Sequence, residues 1–382
     1  MNSNGHEKKT LYQIAIDDIM KKINDNEFSF EKPICTEKSL MERYGISRIT
    51  AKRAITELEN KGILYRKRGV GSFVSRTIYS KTGEPAKQNH LFAFVLPFNI
   101  TKGGLNGTFQ TANSILNNAG YGMSIYITDS NAASRGRAVL GRLLHSDISG
   151  VVYYPRTNNI HLELLNRFVL GSKPIVVMDL NTDCPYLSSV TSDNYNGEKA
   201  MAEYLISLGH RNIGYLSGYM PEDRTTIRDR FGGYLAAIRQ AGIALNPDLI
   251  ITNLGLDYRI PENSSPFSTP LDKAVTHMKK AGATALLIEN DELAFYTIMA
   301  CEQLGIRVPE EMSVCGFDNS EFAHMTRNGI TTVSQDFIQI GKNIADILLE
   351  SLSDKTMETK KIVVPTGLVI QGSTAPPEQG RA

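Results

Sequence analysis

The sequence predicts an α/β protein, with an N-terminal winged helix-turn-helix followed by doubly wound α/β sheets. Three observations carry this. Within Glu37–Val74 a helix, a turn, a second helix and a basic hairpin follow one another. From His90 onward, short continuous apolar runs alternate with helical patterns. Charge is uneven: residues 1–76 hold 15 Lys and Arg against 10 Asp and Glu, while the whole chain of 382 residues nets only +1. A small basic head on a slightly acidic body fits a chain that meets nucleic acid at one end.

The head begins with Leu11–Asn24, whose Leu11, Ile14, Ala15, Ile19 and Ile23 predict an amphipathic helix. Glu37–Tyr44 predicts a short helix with Leu40 and Tyr44 on one face, broken at Gly45. Ser47 then caps a second helix with Ala51, Ile55 and Leu58 at helical spacing. Arg48, Lys52 and Arg53 lie in its first turns, where cations oppose the helix dipole and so point to an external anion. Gly62 ends the helix, and ILYRKRGVGSFV predicts a basic hairpin. In a winged helix-turn-helix the second helix enters the major groove and the wing lies on the adjacent backbone or minor groove.

The stretch TEKSLMERYGISRITAKRAITELENKGILYRKRGVGSFV resembles the DNA-binding domain of the GntR (gluconate repressor) family. Two positions depart from it: Cys35 stands for a usual proline and Ile49 for a frequent threonine. By the resemblance, Lys38, Ser47, Arg48, Thr50, Lys52, Arg68 and Gly69 fall where the family contacts DNA, and Arg66 adds wing charge. Residues 1–75 are expected to form this domain, and 76–89, with Gly, Pro, Lys and Ser and no periodicity, a linker.

In the body, strands are expected at LFAFVLPF, YGMSIYIT, GVVYYP, PIVVMDL, NIGYLSG, ITNLGL, ATALLIEN and MSVCGFD. Helices are expected at 107–118, 136–144, 160–170, 197–208, 230–241, 271–281 and over LAFYTIMACEQLG, with a polar loop at 263–270 and a disordered tail at 373–382. Continuous apolar strands indicate parallel sheets covered on both faces, with ligands at the carboxyl ends of strands.

VTSDNYNGEKAMAEYLISLGHRNIGYLSG, RFGGYLAAIRQAGI, NDELAFYTIMACEQLGIRVPEEMSVCGFDNSEFA and ITTVSQDFIQIGKNIADILLE resemble the effector domain of the LacI (lactose repressor) family, itself similar to periplasmic sugar-binding proteins. The resemblance spans 90–372 and implies a periplasmic-binding-protein-like fold of two α/β subdomains, with crossings near 190–192, 330–333 and 360–363 and an effector in the cleft. By it, Asp179, Arg230, Asn290 and Asp318 occupy effector-contacting positions, joined by Phe98, Lys102, Tyr154, Arg156, Tyr219 and Glu289. Bland roles stay open: Arg230 pairing with Asp229 or Asp193, Asp179 and Asp318 as helix caps, Tyr154 and Tyr219 as core or rim aromatics. Asp193 and Asn194 read as caps of the helix after them.

Other classes are disfavoured. There is no P-loop, GxSxG elbow, metal spacing or dinucleotide fingerprint, so neither enzyme nor cofactor is expected. His210 falls in a turn and is expected at the surface. Cys35, Cys184, Cys301 and Cys315 are scattered, as in a reducing compartment, and no run reaches membrane-spanning length, so a soluble cytoplasmic protein is expected. The expectation is a homodimeric, ligand-responsive transcriptional regulator on pseudo-palindromic double-stranded operator DNA, a repressor of carbohydrate utilisation released by a monosaccharide. A GntR-type head on a LacI-type body is the arrangement of bacterial arabinose repressors, which puts L-arabinose first. The competing readings are a purine or sugar-phosphate co-repressor, or a sugar receptor that does not bind DNA.

Overall fold

The structure, a computed structural model, describes residues 11–24, 28, 32–60, 63–67, 70–74, 91–97, 105–128, 132–254, 268–353 and 358–378. In the head, α1 (Leu11–Asn24) turns Ala15, Ile16, Ile19 and Ile23 inward. The side chain of Thr36 accepts from Ser39 N, and Ser39 Oγ accepts from Thr36 N, a capping box that starts α2 (Glu37–Tyr44). Gly45 stops it at φ 62°, a left-handed conformation that glycine reaches without a Cβ clash. Ser47 Oγ accepts from Thr50 N and caps α3 (Arg48–Asn60), whose Ala51, Ala54, Ile55 and Leu58 complete a core with Leu40, Leu64 and Val74. The hairpin pairs β1 (Leu64–Lys67) with β2 (Gly71–Val74), Leu64 opposite Val74. The linker expected at 76–89 lies outside the described residues.

The body starts with β3 (Leu91–Leu96), α4 (Leu105–Asn118), β4 (Gly122–Ile127), α5 (Ala132–Leu144), β5 (Gly150–Tyr153), α6 (Leu162–Leu170), β6 (Ile175–Met178) and β7 (Ser188–Ser192). It continues through α7 (Asn194–Ser207), β8 (Ile213–Leu216), α8 (Thr225–Gln240), β9 (Ile250–Ile251), α9 (Ser268–Lys280), β10 (Ala285–Ile288), α10 (Asp291–Gln303), β11 (Ser313–Asp318) and β12 (Thr331–Gln335). It ends with α11 (Phe337–Ser353), β13 (Lys361–Val364) and β14 (Thr366–Val369). Two six-stranded sheets result, ordered β13-β7-β6-β5-β3-β4 and β14-β12-β11-β10-β8-β9. Strands β5, β6, β8 and β10 are buried along their whole length, as sheets covered on both faces require. Only the edge strand β14 runs antiparallel among the pairs of the second sheet.

The chain passes between subdomains at Asp193 (β7 to α7), Asp336 (β12 to α11) and Pro365 (β13 to β14), just past the spans expected from sequence. Three local expectations are corrected. Helix α8 begins at Thr225, not Arg230, because Thr225, Thr226 and Ile227 are helical and buried despite their β-branched side chains. Helix α9 begins at Ser268, inside the expected loop. Residues 373–378 are no disordered tail: Val314 N donates to Ser373 O (2.9 Å), Ala375 N to Ser313 Oγ (3.1 Å), and Ser373 is buried. His210 is likewise buried, between Thr284 Oγ1 and Ala375 O at 2.9 Å each, and burial lowers its pKa. Cys35, Cys301 and Cys315 are free buried thiols; burial pushes Cys35 up to about 11 and Cys301 to about 12, which suits inert core residues.

Candidate ligand cleft and nucleic-acid interface

Parallel strands deliver their carboxyl ends to one edge of each sheet, and the candidate ligand residues stand there. Asp179 follows β6 and Tyr154 follows β5; Glu289 and Asn290 follow β10, Asp318 ends β11, and Tyr219 comes after β8. Asp179 and Asp318 adopt φ of 56° and 112°, left-handed backbone that non-glycine residues seldom take.

Arg230 is placed from α8. Helices α7 and α8 approach so closely that a Cβ at Gly233 would lie 2.2 Å from Tyr195 O. That approach lets Arg230 Nε donate to Asn194 Oδ1 at 2.8 Å; its other nitrogens donate to Glu289 O and, at 3.4 Å, to Asp318 Oδ1. The guanidinium lies 3.6 Å from the Phe317 ring centroid. Gln335 Nε2 donates to Asp318 Oδ1 at 2.6 Å. Asp229 pairs with Arg228 and Asp193 caps α7, so neither takes Arg230. Asn194 is not a cap but the buried acceptor for this arginine.

The carboxylates here titrate unusually. Burial pushes Asp318 up, while Arg230 pulls it back; Asp291, at the start of α10, is raised by burial and then by Asp318. Asp291 accepts from Ser320 N (2.7 Å) and Thr332 Oγ1 (2.6 Å). Glu289, fully buried, accepts from Ser217 Oγ (2.5 Å) and Gly218 N (3.0 Å). Asn290 caps α10 through Oδ1 to Leu293 N (2.8 Å) and reaches Glu289 with Nδ2 (3.3 Å). Deeper in the same subdomain, Glu198 is 1% exposed. Among the described residues its carboxylate oxygens and the Tyr215 hydroxyl have no hydrogen-bond partner. Burial raises Glu198 to about 8, against the pull of Arg230.

Across the cleft, Tyr154 donates its hydroxyl to Asp179, and Arg224 Nη2 lies 3.6 Å from that carboxylate. Burial works against the Arg224 charge, but Tyr154, Tyr219, Asp179 and Glu289 outweigh it and raise the pKa. Arg224 also stands over the Tyr219 ring at 5.0 Å, and Arg156 Nη2 reaches the Tyr219 hydroxyl at 3.4 Å. At the rim, Asn158 ties the subdomains together: its N donates to Asp223 O (2.8 Å), Nδ2 to Glu222 O (2.7 Å), and Oδ1 accepts from Thr225 N (2.8 Å). The structure thus brings together Tyr154, Arg156, Asp179, Tyr219, Arg230, Glu289, Asn290 and Asp318, while Phe98 and Lys102 lie outside the described residues. Sequence reasoning missed Arg224, Asn158, Asp291 and Gln335, and read Asn194 as a cap. Placing the start of α8 too late hid Arg224, and the polar strand TTVSQ concealed Gln335.

On the head, Arg48, Lys52 and Lys38 are exposed, and Ser47 and Thr50 share a hydroxyl contact at 2.9 Å beside them. Arg66 projects from β1; Arg68 and Gly69 lie outside the described residues. Ile49 is 82% exposed in the first turn of α3, an apolar side chain with no core to join. Among the described residues no helix is long and apolar enough to cross a membrane, and no cluster of metal-ligating side chains occurs.

Residues 11–74 match the profile of bacterial regulatory proteins of the gntR family, and residues 202–374 that of the periplasmic binding protein-like domain. The chain is 28% identical over 379 residues to the arabinose metabolism transcriptional repressor of Halalkalibacterium halodurans, covering 96% of this chain and 97% of that one. To the protein of the same name in Geobacillus stearothermophilus it is 26% identical over 400 residues, covering 96% and 99%. A LacI family transcriptional regulator from Enterococcus faecium, solved with bound ribose, superimposes with a TM-score of 0.63 at 22% identity, over 75% of this chain and 99% of that one.

Proposed function

We infer that this chain, a gntR-type helix-turn-helix head joined to a periplasmic binding protein-like body, is a sugar-responsive transcriptional repressor. The observation that carries the reading is Arg230. It is braced at the strand ends by Asn194, Glu289 and Asp318, and those three protein hydrogen bonds leave N–H groups of a five-donor guanidinium for a ligand. Neighbouring hydroxyls of a monosaccharide suit a planar donor fork beside carboxylate acceptors, with Tyr219 as a flat apolar wall. L-arabinose leads the candidates, because relatives named for arabinose metabolism align along nearly the whole chain. Lys38, Ser47, Arg48, Thr50, Lys52 and Arg66, with Arg68 and Gly69, form the proposed DNA face. The effector set is Tyr154, Asp179, Tyr219, Arg230, Glu289, Asn290 and Asp318, with Phe98 and Lys102.

The working form is a cytoplasmic homodimer on paired half-sites, with 1–75 binding DNA, 76–89 linking, and the body binding effector and dimerising. Ligand that favours one closure state of the cleft changes the spacing of the paired heads and so their affinity for the operator. The test measures operator binding by gel shift with and without L-arabinose, alongside calorimetry of the sugar. Heat on sugar binding together with release of the duplex supports the reading. Binding strengthened by ligand converts it to a co-repressor mechanism, and no duplex binding at low salt returns the chain to a sugar receptor.

A further inference from the structure

The cationic face of the head is gripped by carboxylates of its own chain. Arg48 Nε donates to Glu37 Oε2 at 2.9 Å. Arg66 puts Nη1 3.7 Å from Glu37 Oε1, and bonds Glu59 through Nε at 3.1 Å and Nη2 at 3.2 Å. Glu37, the first residue of α2, therefore stands between the first residue of α3 and the hairpin strand β1. Its side chain is 25% exposed, that of Arg48 79%.

A carboxylate on a DNA-facing surface repels phosphate, so its presence there works against affinity for any duplex. A first-turn glutamate does favour the α2 dipole, but that does not require it to reach Arg48. What the contact does is fix a long side chain that would otherwise sample many rotamers. It also occupies Nε, while the side chain stays 79% exposed, so Nη1 and Nη2 remain a fork able to bond guanine O6 and N7 together.

We propose that Glu37 is a positioning residue: it orients Arg48 and links it through Arg66 to the wing strand, and so sets discrimination between operator and other DNA rather than overall affinity. This rests on the DNA-binding reading of the head.

The test uses the full-length chain, a duplex selected by it from a random library, and a scrambled duplex, with affinities read by fluorescence anisotropy at fixed salt. E37A is expected to bind the scrambled duplex as tightly as wild type or more so, while the selected-to-scrambled ratio falls about ten-fold, the scale of one base-reading contact. E37Q keeps an acceptor for Nε and loses only charge, so its ratio should lie between. In an R48A background, E37A should not lower the ratio further, since the effect runs through that arginine. An unchanged ratio in E37A overturns the proposal, leaving Glu37 a partner of the α2 dipole. An equal fall with and without Arg48 also overturns it, making Glu37 a shaper of the head. If circular dichroism shows E37A unfolded, E37Q in both backgrounds decides by the same criteria. A wild-type chain that selects no duplex overturns the DNA reading itself.

Discussion

Two arginines, one in the cleft and one on the head, occupy opposite physical environments. The Arg230 side chain is 7% exposed, bonded to three protein acceptors and laid on Phe317. Arg48 is 79% exposed and held on one edge by Glu37. A buried cation must be satisfied by the protein beforehand, because desolvation costs several kcal/mol unless partners offset it. Such a group arrives already oriented and serves a small ligand that fits between fixed neighbours. An exposed cation loses little by waiting in water, and its gain comes from a polyanion and the counterions it releases. On the proposed function, the same side chain is thus made into a pocket wall or a groove reader by its surroundings.

The largest effect that could break this contrast is expected at Arg230. Replacing it with Ala leaves Asp318 without its cation and should cost about 3 kcal/mol of stability, the low end for a broken buried pair because Asp318 keeps some solvent. Sugar affinity should fall as well, by about 1.5–3 kcal/mol. Arg230→Lys keeps charge but not the planar fork, so it should recover stability better than sugar binding. Calorimetry showing normal sugar binding in both variants removes Arg230 from the site. Operator affinity without sugar should be unchanged in Arg230→Lys.

Next comes Glu198, which titrates in an apolar core. Its folded pKa, about 8, lies above the ordinary 4.5, so the folded state holds the proton more tightly. Stability from this group is full below about 4.5 and is lost as pH rises toward 8. Glu198→Gln cannot ionise, so its stability, followed by melting curves, should gain on wild type across that window, by on the order of a few kcal/mol at its top. Parallel melting curves from pH 5 to 8 would mean that Glu198 is not a buried acid.

Arg48→Ala is expected to cost about 1–3 kcal/mol of operator affinity and to leave the thermal midpoint unmoved, the reverse of Arg230→Ala. Anisotropy and melting curves on one preparation check both halves. A melting loss as large as that at Arg230 would dissolve the contrast. The smallest effect is expected at Asn158, whose rim hydrogen bonds join the subdomains without touching the proposed ligand. Asn158→Ala should lower sugar affinity about two- to ten-fold by depopulating the closed cleft. An unchanged affinity would show that the rim contacts do not bias closure.

How much could be read in advance follows from the range of the forces involved. Head helices, the Ser47 cap and the hairpin were legible because capping, glycine breaks and helical periodicity are decided within a few residues, as at Ser47 and Gly45. The apolar strands β3, β5, β6, β8 and β10 were legible for the same reason. Strands β7 (SSVTS) and β12 (TTVSQ) were not, since they are polar yet buried. Their hydroxyls are satisfied by distant partners, Ser192 by Gln335 and Thr332 by Asp291. The start of α8 was misplaced because β-branched residues resemble strand until packing overrides propensity.

By itself, then, the sequence determined the two-part architecture, the covered parallel sheets and the residues that stand at strand ends, all of which follow from local patterning. Only the tertiary structure decided which charges meet. Arg230 finds Asp318 across 88 residues, Arg224 finds Asp179 rather than an acid on its own helix, and Glu37 joins Arg48 to Arg66. Hydrogen bonds and ion pairs act over a few ångströms and saturate, so a side chain's partner is whichever group the packed backbone brings within reach. A linear pattern carries no such distances.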